Sequence, residues 1–201
     1  MELSSSGLVK LDGDAVKVSL GQRLQIAEQL IRLGGDFQTV SRSLGWLEFE
    51  EFVAHVFEEN GYNVLRRFRF QAEGRRWEID VLATKFPYIV CAECKHWTKG
   101  IGDAAARKIV EIHKEKTEVF ARHIDGLVER IGVHRWKNAV ITPMTLSLSP
   151  TPMSIYRRVP SLNILVLTSY LEEFQGQLER IEHHRVELPP WKPRPEQTRL
   201  G

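Results

Sequence analysis

The spacing of apolar positions changes along the chain, and each change predicts an element. Leu8, Leu11, Val16 and Val18 flank Asp12-Gly13, the pattern of a short hairpin. Ser19 or Gly21 then opens a helix with Leu24, Ala27, Leu30 and Ile31 on one face, ended by Gly34-Gly35. A stronger helix spans 46–60, with Phe49, Phe52, Val53, Val56 and Phe57 on one side and Asn60-Gly61 closing it. Three extended runs follow at 63–70, 75–84 and 87–95, with Gly74 and Pro87 in the turns. Asp103 is a good N-cap for a helix reaching about His123. Apolar runs at 138–144 and 163–168 read as two more strands, separated by a Pro/Ser-rich loop. Ser169 and Glu172 have the spacing of a capping box for a last helix reaching about Ile181. The predicted order is α-β-β-β-α-β-β-α behind a small hairpin–helix unit, an α/β (α+β) arrangement.

Composition narrows the class. The chain has 201 residues, 42% hydrophobic and 27% charged, with a net charge of +2. That is enough for one good core with a small appendage. We divide it into an N-terminal unit (1–40), a main domain (41–182) and a Pro-rich basic tail (183–201) with prolines at 189, 190, 193 and 195. The hairpin resembles the wing of a winged-helix domain, but too few residues precede it for a recognition helix, so packing or dimerisation is its expected role. No run of 18 apolar residues suggests a membrane span. The amino terminus lacks the basic start and apolar block of a secretory signal. With two cysteines only, a reducing, cytoplasmic setting is expected. The small net charge means that any basic surface is local.

The chemistry concentrates in Arg75–Lys95 and the residues just after it. Alternation puts Trp77, Ile79 and Val81 on one face of the second strand and Glu78 and Asp80 on the other. The third strand is apolar until Glu93 and Lys95, which lie two apart and share a face. Asp80, on the neighbouring antiparallel strand, is expected to point to the same place. Converging carboxylates repel unless a proton or a cation lies between them. Magnesium takes such hard oxygen ligands together with substrate phosphate, and a nearby lysine can orient water and stabilise developing charge. The set Asp, Glu, Lys therefore suits phosphodiester hydrolysis, against the plainer alternative of a structural ion pair.

The helix FEEFVAHVFEENGYNV, the strand EIDVLA and the segment AECKHW resemble, in that order, the PD-(D/E)XK or restriction-endonuclease-like superfamily. The layout is most similar to Mrr-type endonucleases and, more distantly, to archaeal Holliday-junction resolvases. The likeness covers about 45–182 and is clearest over 46–97. It implies a mixed sheet flanked by helices, and a magnesium-dependent nuclease in which manganese can substitute. It implies Asp80 and Glu93 as metal ligands, Lys95 as the catalytic lysine, Glu50 as the helical glutamate that assists, and the Cys94 backbone carbonyl as a further ligand. Helix geometry favours Glu50 because it lies beside Phe57 at the edge of the apolar face, whereas Glu48 and Glu51 are expected to project away. One departure is that Glu78-Ile79, with no proline, precedes Asp80.

Other motifs carry less. Cys91 and Cys94 form a CxxC, but residues three apart on a strand face opposite ways, which argues against zinc or a disulfide. The seven histidines show no metal-binding spacing and are expected on the surface or in packing roles. No GxxxxGK[ST] phosphate loop occurs, so no nucleotide cofactor is implied. Residues 61–85 carry six positive side chains (Arg66, Arg67, Arg69, Arg75, Arg76 and Lys85) against three negative. Lys99, Arg107 and Lys108 follow, and His96 and Trp97 lie directly after Lys95. Arg67, Arg69, Arg75, Arg76, His96, Trp97, Lys99 and Lys108 are the expected nucleic-acid contacts, since phosphate contacts supply affinity.

The expectation is a metal-dependent DNA endonuclease acting on double-stranded or branched DNA in repair, recombination or restriction, as a homodimer. The alternatives are a non-catalytic binding or assembly protein of the same fold, or an RNA-processing nuclease.

Overall fold

The computed structural model describes residues 7–13, 15–36, 39–40, 43, 45–95, 103–148 and 155–191. The chain begins with a hairpin of β1 (Lys10–Asp12) and β2 (Ala15–Lys17). Gly13 takes the positive φ of the turn between them. Ser19 then caps α1 (Leu20–Arg32) in a reciprocal capping box with Gln22. The next helix, α2 (Trp46–Glu59), ends where Gly61 turns the chain at positive φ.

The core is a mixed sheet. Its strands are β3 (Asn63–Ala72), β4 (Arg75–Lys85), β5 (Tyr88–Lys95), β6 (Asn138–Ser147), β7 (Ile155–Tyr156) and β8 (Val159–Asn163), in the spatial order β3-β4-β5-β6-β8-β7. The first three form an antiparallel meander. A crossover through α3 (Asp103–Arg122) makes β6 parallel to β5, and β8 runs parallel to β6. Short helices α4 (Leu167–Glu172) and α5 (Phe174–Gln177) come next. The strand β9 (His184–Glu187) then pairs antiparallel with the first half of β6. Among the described residues, no helix is long and apolar enough to cross a membrane.

Two apolar layers sandwich this sheet. Phe49, Val53 and Phe57 of α2 pack with Val81, Ala83, Val90 and Ala92 on one face, joined by Ala27 of α1. Val119 and Phe120 of α3 pack with Phe68, Phe70, Trp77, Ile79, Leu82 and Ile89 on the other. A mixed sheet covered by helices on both faces is the architecture expected from the sequence.

Three details differ from the expected layout. The last parallel strand lies at Val159–Asn163, and 164–168, expected as a strand, starts a helical segment instead. There the Asn163 side chain accepts from the backbone N–H of Leu165, an Asx cap that turns the chain out of the sheet. Ser169 does not open a capping box: it lies inside α4, and its hydroxyl donates to the Val166 carbonyl. His184–Glu187, assigned to the tail, is a strand, because β6 is long enough to pair beyond β8. Val186 packs on the α3 layer and Leu188 is buried within it.

Candidate active site

The site begins with a failure of alternation. Leu65, Phe68 and Phe70 of β3 reach the α3 layer, as do Trp77, Ile79 and Leu82 of β4, whereas Val64, Val81 and Ala83 reach the α2 layer. Strict period-2 alternation cannot produce both sets. Each strand therefore changes face once, at the positions where Arg67 stands opposite Asp80: Arg66 pairs with Val81, and Phe68 with Ile79. Arg67 takes a left-handed φ of 49° there. The expectation that Val81 shares a face with Trp77 and Ile79 is thus corrected.

The sheet also splits at this level. Pairing of β4 with β5 stops at Val81↔Ala92, while β5 continues along β6 as far as Lys95↔Ser147. Beyond that point β4 stays with β3, so the sheet forks, with Asp80 on one prong and Glu93, Cys94 and Lys95 on the other. The fork leaves backbone donors without strand partners, and Asp80 takes one: its Oδ2 accepts the N–H of Cys94 at 2.8 Å.

Glu93 is held by three cationic or imidazole groups. Lys95 Nζ lies 2.7 Å from its Oε1 and Lys116 Nζ 2.5 Å from its Oε2. His113 of α3 is fully buried, places Nδ1 3.4 Å from Glu93 Oε2, and donates from Nε2 to the Cys91 carbonyl at 2.7 Å. Burial alone would raise the Glu93 pKa, but His113, Lys116 and Lys95 together hold it well below the ordinary carboxylate range. Asp80 goes the other way. Burial first, then the Glu93 carboxylate, push it up to about 6, against the pull of the Cys94 hydrogen bond and the two lysines. This is the pattern of two carboxylates sharing one low-dielectric site.

Glu50 approaches from α2. It is buried, and its Oε2 accepts from Arg67 Nε at 3.0 Å. The Cys94 thiol reports how these groups converge. Burial, then Asp80, Glu50 and Glu93, raise its pKa, so all three carboxylates act on the same atom. Glu48 departs from expectation. It is buried rather than projecting outward, because its carboxylate accepts the Gly45 N–H at the start of α2 and pairs with Arg23 of α1 at 2.6 Å. Glu51 lies outside the fork and pairs with Arg66.

The structure therefore brings Glu50, Asp80, Glu93 and Lys95 to one fork. His113 and Lys116 join them there, although no motif in the sequence points to either. The available signal was that His113 occupies the apolar stripe of α3, one turn from Val110 and from Thr117, where a surface histidine does not belong. Among the described residues, no three His, Cys, Asp or Glu side chains close on a single point as a metal cluster would. The donors nevertheless have the right chemistry. They are hard carboxylate oxygens, with Asp80 raised by burial and by the neighbouring Glu93 carboxylate. Cys91 and Cys94 are both buried free thiols, facing the α3 and α2 layers respectively, so they form no common site.

The basic residues border the fork and the β3–β4 hairpin. Arg69 pairs with Glu78, Arg75 stacks 4.0 Å over the Trp77 ring, and Arg76 and Lys108 are exposed. Arg130 lies 4.8 Å over the Phe68 ring on the same side. His96, Trp97 and Lys99 lie outside the described residues.

An uncharacterised protein of Archaeoglobus fulgidus is 31% identical over 77 residues, covering 38% of this chain and 60% of its own length, so the chain spans less than two thirds of that relative. The small subunit of the heterodimeric restriction endonuclease R.BspD6I is similar at a TM-score of 0.35 and 15% identity, covering 81% of this chain and 82% of that one. A Vibrio cholerae protein is similar at a TM-score of 0.36 and 13% identity, covering 89% of this chain and 41% of its own. Residues 41–123, which hold α2, the forked strands and α3, match the restriction endonuclease family of the Mrr catalytic type, the relationship to which the helix, EIDVLA and AECKHW point.

Proposed function

We propose that this chain is a metal-dependent endodeoxyribonuclease that hydrolyses phosphodiester bonds at the β4–β5 fork. The single observation behind the reading is the meeting of Asp80, Glu93 and Lys95 where the sheet splits, with Lys95 Nζ 2.7 Å from Glu93. Magnesium, or manganese in its place, would be held by Asp80 and Glu93, assisted by Glu50 and the Cys94 carbonyl, and would supply Lewis acidity and a water of lowered pKa. Lys95 orients the attacking water and donates to the phosphoryl oxygens as charge builds on them. A bond forms from the water oxygen to phosphorus, and the bond from phosphorus to the leaving sugar oxygen breaks. Arg67 sits at the rim, where it can leave Glu50 for a backbone phosphate. Arg69, Arg75, Arg76 and Lys108, with His96, Trp97 and Lys99, extend the phosphate contacts.

The catalytic unit on this reading starts at 41 and, with β9 paired into the sheet, runs past 182 to Leu188, with the hairpin–helix unit before it, in an intracellular homodimer. Cutting both strands of a duplex needs two such sites. The substrate on this reading is double-stranded or branched DNA, and the role is in repair, recombination or restriction.

The test is cleavage of linear, flapped, junction and RNA substrates with Mg²⁺ or Mn²⁺. The wild type is expected to cut DNA, and Lys95→Ala to lose at least about a hundredfold in rate while still binding it. If neither protein cuts any substrate and both bind DNA, the chain is a binding module. Cleavage of RNA alone would make it a processing nuclease.

A further inference from the structure

Lys116 lies outside the Asp, Glu, Lys set that the reading uses, yet its ammonium sits 2.5 Å from the Glu93 oxygen on the side opposite Lys95. It is nearly buried, with 12% of its side chain exposed. A lysine surrenders much rotamer freedom and hydration to sit there, so the contact has to offset a real cost. The helix shows how the contact is made. Ala106, Val110, His113, Thr117 and Phe120 form the buried stripe of α3. His113 is pinned at its centre, with Nε2 on the Cys91 carbonyl. Lys116, one turn further on, is thereby placed with its ammonium over the prong that carries Glu93. Lys95 approaches the other carboxylate oxygen, Oε1, from its own strand.

We infer that Lys116 is a positioning residue acting as an internal counter-cation: it occupies Glu93 Oε2 in the metal-free protein, must yield that oxygen when a divalent ion enters, and so sets the affinity for the ion. The inference rests on the proposed metal site and goes beyond it. Three observations support it. Both Glu93 oxygens already carry an ammonium. Glu50 is likewise held by Arg67. Among the described residues, by contrast, Asp80 meets a backbone N–H, that of Cys94 on its Oδ2, with Lys116 and Lys95 acting on it by charge. A divalent ion entering the fork therefore meets Asp80 first and competes with Lys116 for Glu93. The lysine keeps the buried carboxylate satisfied while no ion is bound, at the expense of weaker ion binding.

The experiment is Mn²⁺ binding to the full chain at fixed pH and salt, followed by the electron paramagnetic resonance of free Mn²⁺. It compares wild type with Lys116→Met, Lys116→Arg and Lys114→Met. Lys114 is one further helix lysine, paired 3.0 Å from Glu182 and away from Glu93. Lys116→Met is expected to bind Mn²⁺ about tenfold more tightly, the order that follows from removing one like charge a few ångströms from a part-buried ion. Lys116→Arg keeps the charge and should stay within about twofold of wild type, and Lys114→Met, which removes a more distant charge, likewise. Circular dichroism melting checks that each variant is folded. Unchanged or weaker binding by a folded Lys116→Met overturns the inference while leaving the metal site intact. An equal gain from Lys114→Met also overturns it, since net charge alone would then explain the effect. Should Lys116→Met fail to fold, Lys116→Arg against Lys116→Gln gives the same comparison. If no protein in the set binds Mn²⁺, the metal site and this inference fall together.

Discussion

Asp80 is where the needs of folding and of the proposed chemistry diverge most. In the unfolded chain its carboxyl ionises near pH 4, but in the fold it does so at about 6. Between those values the folded state binds more protons than the unfolded one, so this group lowers stability as pH rises through the window, and its cost is full above it. Glu93 has the opposite sign. Held low by His113, Lys116 and Lys95, it contributes stability above the ordinary carboxylate range and loses it as pH falls. Asp80→Asn removes the first effect and keeps an oxygen to accept the Cys94 N–H. Metal-free Asp80→Asn should therefore be more stable than wild type by about 1–2 kcal/mol at pH 8, with the advantage shrinking toward pH 4. Urea unfolding at the two pH values measures this. A variant less stable than wild type at pH 8 would show that the charge at Asp80 is not a burden. The same substitution should abolish Mn²⁺ binding, a trade of function for stability.

At the scale of elements, the helix, both hairpins and the crossover were legible because each rests on local signals: apolar period, Gly at a turn and a cap. The fork was not. Sequence alternation carried Val81 to the face of Trp77, but a change of face at Asp80 depends on two strands bending together, and Arg67 gives no sign of its left-handed φ. The partners of Glu93 on α3 were equally hidden, because packing rather than spacing brings His113 and Lys116 to β5. Glu48 and Glu50 illustrate a smaller failure. Helical angle alone separated them, yet α1 supplies Arg23 and draws Glu48 into a buried cap. This makes the entry to α2 sensitive. Glu48→Ala should cost about 1–2 kcal/mol by losing both the Gly45 hydrogen bond and the Arg23 pair. Glu51→Ala, on the solvent side, should cost only a few tenths. Urea midpoints separate the two, and equal losses would remove the capping explanation.

For the whole molecule, the sheet is the wall between two apolar layers, one on each face. Phe49 anchors one layer and Phe120 the other, and both are fully buried. Strands β4, β5 and β6 contribute side chains to both layers, so neither layer can form while the sheet is absent. Their alternation couples the two layers into one unit, and the fork lies in that shared wall with Glu50 reaching it from one side and Lys116 from the other. Phe49→Ala and Phe120→Ala should each cost about 3–5 kcal/mol, through lost transfer energy and an unfilled cavity. Each should lower the denaturant midpoint while leaving a single transition of unchanged slope, the same by tryptophan fluorescence and by circular dichroism. A second transition in either variant would mean that one helix layer melts away from a surviving sheet. In that case the two layers would not be coupled through the sheet, and the side of the fork that carries Glu50 would unfold separately from the side that carries Lys116.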